Sequence, residues 1–290
     1  MQLPITSSAG SNVNAIADTY VKACRLELGA LKPGNVHRHA EGHGMTCADF
    51  ETSAWVSAPE VAREGEGVGA RIYKAVVASK AAVGQNTNLG IILLCAPLAA
   101  AAERGETLHL ILDRLTLDDA RQCLTAIALA NPGGLGSATN HDVRAPASAP
   151  LREVMAAAAD RDLIARQYAN GFADIADLGL RSWRAARSQG QSHAESTTSV
   201  YIGFLRTWPD THIARKFGPE TAEMVRRDAQ ARTLPLSEPA RRVFLLEWDA
   251  ELKRHGLNPG TCADLTVATL FAAFLAEQAS NVLQPLPKSV

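Results

Sequence analysis

No CxxC pair occurs anywhere in the chain, and its five cysteines (Cys24, Cys47, Cys95, Cys123 and Cys262) are odd in number and scattered. That argues against a thiolate zinc site and against a disulfide framework, and it points to reduced thiols in a cytoplasmic protein. Net charge is nearly absent too: 29 basic against 30 acidic residues leave −1 at pH 7. No whole-molecule field recruits nucleic acid or an anionic membrane, so any polyphosphate has to be held locally. Positions 1–14 lack a basic stretch followed by an apolar run, and the longest apolar stretch, 90–102, is too short to span a bilayer. Neither nucleic acid nor membrane is expected as a partner.

Strict period-two alternation is nearly missing as well, which removes the signal for a sheet. What takes its place is a helical period. Val13, Ile16, Tyr20, Cys24 and Leu28 fall at steps of three and four, one apolar stripe on a helix that ends before Lys32-Pro33-Gly34. Ala-rich helical segments are expected at 46–64, 67–83, 88–103, 116–130, 151–187, 194–208, 219–231, 238–255 and 261–279. The expected architecture is all-α, a multi-helix globular domain with active-site loops at helix N-termini. With 290 residues, 47% of them hydrophobic, one domain over 1–290 is the default, with 1–13 and 281–290 as flexible termini. Ala-rich stretches such as 151–159 could also build a homodimer interface.

Chemistry concentrates in four loops. The first, 32–45, sets Lys32, Arg38, His37, His39, His43 and Glu41 among Gly34, Gly42 and Gly44. Glycines let backbone approach an anion and the cations supply charge and forked donors, so Lys32, Gly34, Asn35, His37 and Arg38 are candidate phosphate ligands. A solvated basic turn is the plain alternative, and His-x-His alone is too loose a pattern for zinc. The second, 84–90, offers Asn86, Thr87, Asn88 and Gly90 at the start of an apolar helix, where unpaired N–H groups favour anions or a sugar; simple N-capping explains the same residues. The third, within 131–149, brings Gly133 and Gly134, but lacks the lysine of a P-loop and the strand of a dinucleotide fold. The fourth is Asn258-Pro259-Gly260-Thr261-Cys262-Ala263-Asp264, with Gly260 and Thr261 as further nucleotide contacts. Its Thr-Cys-Ala-Asp repeats Thr46-Cys47-Ala48-Asp49, and in both the aspartate is either a capping-box partner or a functional group. Asp174 and Asp177, three apart on one helix face, could hold Mg²⁺, or form a solvated acidic face.

The order Leu26-Glu27-Leu28, Lys32-Pro33-Gly34-Asn35-Val36-His37-Arg38, Phe50, Ser53, Asn86-Thr87-Asn88-Leu89-Gly90 and Asn258 to Leu265 resembles the triphosphoribosyl-dephospho-CoA synthase family over roughly 14–280. The resemblance implies an all-α transferase that takes ATP and 3′-dephospho-CoA, releases adenine and joins a 5-triphosphoribosyl group to a ribose hydroxyl. The family's Asn-Thr-His-Lys-Gly reads Asn86-Thr87-Asn88-Leu89-Gly90 here, without the imidazole and the ammonium, and its Arg-Gly-Glu-Ala corresponds at best to residues 134–138. Such departures are similar to a divergent branch associated with methylotrophic one-carbon metabolism.

Breaking a ribose–adenine bond develops positive charge at the sugar carbon and needs carboxylates nearby. The resemblance therefore implies Glu27 and Asp264 as catalytic groups, Lys32, His37 and Arg38 on phosphate, Asn86 and Thr87 on ribose or phosphate oxygens, and Asp174 with Asp177 on Mg²⁺ that accompanies ATP. Two other classes are weighed: an ATP-dependent kinase or nucleotidyl transferase making a tetrahydromethanopterin or methanofuran type cofactor, and a non-catalytic nucleotide-binding protein.

Overall fold

The computed structural model describes residues 13–132 and 145–282. Gly133 and Gly134, and the expected flexible termini apart from Val13, Asn281 and Val282, lie outside the described residues. Within them are fourteen α-helices, one π-helical turn and no strand; the only extended pairings are two isolated bridges, His37 with Ala40 and Gly42 with Met45. The all-α expectation holds.

Helix α1 (Val13–Gly29) buries Ile16, Tyr20, Cys24 and Leu28, the stripe visible in the sequence. Helix α2 (Cys47–Val61) starts in a capping box, Thr46 with Asp49, and α3 (Val68–Val83) packs against it. Helix α4 (Leu89–Arg104) is buried at every position from Leu89 to Ala102, because it has no polar face to offer water. The short α5 (Leu108–Asp113) follows, then α6 (Leu117–Ala130), opened by a second capping box of Thr116 and Asp119. Beyond the middle come α7 (Leu151–Ala156), α8 (Leu163–Asn170), the π turn Ile175–Gly179 and α9 (Leu180–Ser188). The chain ends in α10 (His193–Thr207), α11 (Thr211–Phe217), α12 (Pro219–Ala231), α13 (Glu238–Arg254) and α14 (Gly260–Val282).

Two boundaries differ from expectation in ways that matter. The single helix expected over 151–187 is broken into α7, α8, the π turn and α9. Asp162 Oδ1 accepts from Ile164 N at 2.8 Å and Ala165 N at 3.1 Å, which starts a new helix. Gly171, at φ +70°, then closes it in the left-handed conformation. The Ala-rich composition of 156–159 hid the break, since alanine favours helix wherever it stands. The second difference is α11, seven residues capped by Asp210 through His212 N and Ile213 N, which shows no stripe long enough to read.

At the centre, α14 packs on α1, α4 and α10, while α8 and α11 reach it from the side. By length and composition Gly260–Ala279 is apolar enough to cross a membrane, but 78% of that window is buried inside the protein, as befits a core helix. The buried apolar side chains form one contiguous cluster that includes both α4 and α14. The start of α4 and the start of α14 meet there, and their first turns face a common opening.

Candidate active site

A cleft of about 1090 Å³ opens where the helix starts converge. Its lining takes Glu27, Asn35, His43 and Met45 from the end of α1 and the loop after it, and Asn86, Thr87, Leu89 and Gly90 from the entry to α4. Asn131 and Pro132 come from the end of α6, and Asn258, Gly260 and Asp264 from the entry to α14. The four loops picked out in the sequence therefore share one site, as far as they are described.

Asp264 stands in the floor of this cleft. Its carboxylate packs so closely on Gly90 that a Cβ there would sit 2.1 Å from Asp264 Oδ2 and 2.8 Å from Ile164 Cδ1, so any larger residue would displace the carboxylate. Among the described residues no hydrogen bond or ion pair reaches that carboxylate. Burial pushes its pKa well above the ordinary carboxylate range; repulsion from Asp210, Glu27 and Asp162 adds to this, and Arg215 opposes it. The other carboxylate is arranged differently. Glu27 accepts from the Lys32 ammonium, whose remaining donors go to Asn35 Oδ1 and to Val36 O, each at 2.8 Å. Burial raises Glu27 and lowers Lys32, and each group works against that shift in its partner.

Lys32 is thus a fully buried structural cation, with its donors spent inside the first loop and no place in the cleft lining. Arg38 pairs with Glu51 outside the cleft. His37 is buried, with Nδ1 accepting from His39 N at 3.2 Å and Nε2 3.3 Å from Asp249 Oδ1. Asp249 also accepts from Gly34 N at 2.8 Å and Lys253 Nζ at 2.9 Å, while Lys253 reaches Ala40 O at 2.8 Å. The first loop is consequently strapped to α13, and what it presents to the cleft is Asn35, His43 and Met45. Asn35 Nδ2 donates to Asn258 Oδ1 at 2.8 Å, which ties the first loop to the fourth. His43 Nε2 donates to Gly34 O at 2.8 Å.

In the second loop Thr87 hydrogen-bonds Ser53 through their hydroxyls, and Asn86 Oδ1 accepts from Leu89 N at 3.3 Å. Asn88 is buried away from the cleft, donating to Ser57 Oγ at 3.3 Å. Thr261 is also internal: its hydroxyl meets Thr211 Oγ1 at 3.1 Å and accepts from His212 N at 3.1 Å. Asp174 and Asp177 are not brought to the cleft. Asp174 Oδ2 accepts from Arg166 Nε and Gln167 Nε2 at 2.8 Å and from Asn170 Nδ2 at 3.1 Å, and Asp177 lies 3.6 Å from Arg181. No cluster of three or more His, Cys, Asp or Glu side chains suited to a metal occurs among the described residues. Asp174 is thus engaged by three donors, and neither aspartate lines the cleft.

One wall of the cleft was not anticipated. The turn between α7 and α8 brings Arg161 and Asp162, the first turn of α8 brings Arg166, and the stretch from Trp208 through α11 brings His212, Arg215 and Lys216. Arg166 lies over the Trp208 ring at 4.3 Å, and Arg215 donates to Asp162 Oδ2 at 2.7 Å. Burial, with Arg215, Lys216 and His43 nearby, drives His212 down to about 3, so its ring is neutral at pH 7, and its Nε2 has no hydrogen-bond partner. A usable signal did exist. Asp162 stands directly before Leu163-Ile164 and Asp210 three residues before Ile213, both as N-caps, and treating 151–187 as one helix concealed the first.

Comparison with known proteins bears on this arrangement. The family described as ATP:dephospho-CoA triphosphoribosyl transferase matches residues 13–282. A crystal structure of a candidate triphosphoribosyl-dephospho-CoA synthase from Archaeoglobus fulgidus aligns with a TM-score of 0.60 at 26% identity, covering 78% of this chain and 98% of that one. No curated protein matches the chain.

Proposed function

The chain belongs to the ATP:dephospho-CoA triphosphoribosyl transferase family, and from that premise we propose that its cleft joins the triphosphoribosyl part of ATP to a hydroxyl of 3′-dephospho-CoA with loss of adenine. The observation that carries the role of the site is Asp264: a carboxylate without a hydrogen-bond partner among the described residues, in the floor of a cleft, its pKa raised by burial and by Asp210 and Glu27.

The acceptor hydroxyl attacks C1′ of the donor ribose as the C1′–N bond to adenine breaks, and the bonding pair leaves on the base. Positive charge grows on the sugar in between, and two carboxylates in a partly dry floor stabilise it. Asp264 takes the hydroxyl proton; a raised pKa makes a carboxylate a stronger base than one in water. Overall, the proton lost by the hydroxyl balances the one gained by adenine. Glu27, fixed by Lys32, keeps its direction without a search through rotamers. Asn35, Asn86, Thr87 and Asn258 are neutral donors and acceptors suited to ribose hydroxyls and base edges. Mg²⁺ enters with ATP as part of the substrate, carried by the phosphate oxygens.

Incubation of the protein with ATP, Mg²⁺ and 3′-dephospho-CoA, followed by chromatography, tests the reading. Free adenine that depends on dephospho-CoA is the expected product. ADP or pyrophosphate without adenine would replace the proposal with phosphoryl chemistry.

A further inference from the structure

We propose that the wall built from the α7–α8 turn, the first turn of α8 and α11 is the polyphosphate anchor of the cleft, with Lys216 and Arg161 as its free cations and Arg166 and Arg215 as its fixed ones. The proposal deepens the family reading, on which its choice of ligand rests.

The placement of charge carries it. Among the described residues, the Arg and Lys side chains that line the cleft are Arg161, Arg166, Arg215 and Lys216, all from this one wall. The loops opposite offer amides, hydroxyls and carboxylates. The cations that looked right in the sequence are committed elsewhere, Lys32 to Glu27 and Arg38 to Glu51. The family's ammonium and imidazole positions are Leu89 and Asn88 in this chain, so the second loop contributes no charge. A polyphosphate carries several negative charges and would be held poorly by neutral amides alone.

The wall is built to present its cations. Arg215 is steered by Asp162, and Arg166 is held by Asp174 and by the face of Trp208, so neither has to be ordered when the anion arrives. Lys216 is exposed, and neither a hydrogen bond nor an ion pair occupies its ammonium among the described residues. Arg161, also exposed, reaches among the described residues only the carbonyl of Ala157, at 3.1 Å. Carboxylates share the wall: Asp162 is taken by Arg215, Glu223 by Arg226 and Arg227, and Asp160 stands exposed beside Arg161. Burial keeps the rings of His43 and His212 neutral, helped by Lys253 and Lys216 at His43 and by Arg215 and Lys216 at His212.

Inorganic tripolyphosphate is the probe, because its binding is read by calorimetry without any turnover. The full-length protein is expected to bind it, Lys216→Gln and Arg161→Gln each to weaken binding about tenfold, and the double variant more, with adenosine binding unchanged. Both side chains are exposed, so the variants should fold; an unchanged circular dichroism spectrum checks this. The source of the phosphate follows from steady-state kinetics. A higher KM for ATP alone assigns the wall to the donor triphosphate, and a higher KM for dephospho-CoA alone assigns it to the acceptor diphosphate; either supports the anchor. Absence of tripolyphosphate binding, or binding unaltered within about twofold in the double variant, overturns it. If the unaltered protein releases no adenine but binds tripolyphosphate through Lys216, the reaction falls and the anchor stands.

Discussion

Asp49 and Asp264 end the same tetrapeptide, Thr-Cys-Ala-Asp, and do different things. Asp49 Oδ2 accepts from Thr46 N at 2.8 Å and closes a capping box. At the second copy, α14 already begins at Gly260, so Asp264 lies too deep in the helix to reach back, and the Thr261 hydroxyl is engaged by Thr211 and His212. Asp264 is left facing the cleft without a partner among the described residues, a costly arrangement that function explains and stability does not. Asp264→Asn is therefore expected to lower adenine release by about 10²–10⁴-fold and, at neutral pH, to raise the unfolding midpoint by roughly 2–4 °C. The pH dependence has a definite sign. A carboxyl whose pKa is raised by folding holds its proton more tightly in the native state, so ionising it costs stability. That cost is absent below the unfolded value of about 4 and is complete above the raised native value. The thermal advantage of the asparagine variant should accordingly grow as pH rises and vanish toward pH 4, which calorimetry across pH would read. Turnover by the unaltered enzyme should fall on acidification through that same raised pKa, above the range of an exposed aspartate.

At the level of elements, the site depends on three helix starts coming within contact of one another. Gly90 in the first turn of α4 touches Asp264 of α14 and Ile164 of α8. Gly90→Ala should leave the helix content of the circular dichroism spectrum unchanged, since alanine is the better helix former by about 1 kcal/mol. It should lower turnover at least about tenfold, because the carboxylate has to move; unchanged turnover would show that the Asp264 position is unimportant. The break between α7 and α8 is the second such feature. Asp162→Ala removes both the cap of α8 and the partner of Arg215, and is expected to cost about 1–2 kcal/mol of stability and to raise hydrogen exchange at 163–166. Asp162→Asn keeps a capping oxygen and should recover most of the stability.

Over the whole molecule, the first loop is held by a helix more than two hundred residues away. Asp249 of α13 accepts from Gly34 N and Lys253 and lies 3.3 Å from His37 Nε2, and Lys253 reaches across to Ala40. Burial acts to raise the Asp249 carboxyl, but the bonds from His37 and Lys253 outweigh it and hold the pKa below the usual range. Stability from this strap is present above the unfolded value and is lost as pH falls through the lower native one. Asp249→Ala leaves buried donors without an acceptor and is expected to cost about 3–5 kcal/mol in chemical denaturation at pH 7. Periodicity alone was enough to read the all-α class, the buried stripe of α1 and most helix limits, because these follow from local spacing and capping. Loop composition was enough to find four segments of the cleft, including Asp264, whereas Glu27, on α1, was indicated by the family resemblance. The partners of each charge were not legible: that Lys32 turns inward to Glu27 while Arg161 and Lys216 line the opening depends on which helices pack together. A lysine binds a ligand only where no carboxylate of its own fold already holds it, and that is decided by contacts distant in sequence.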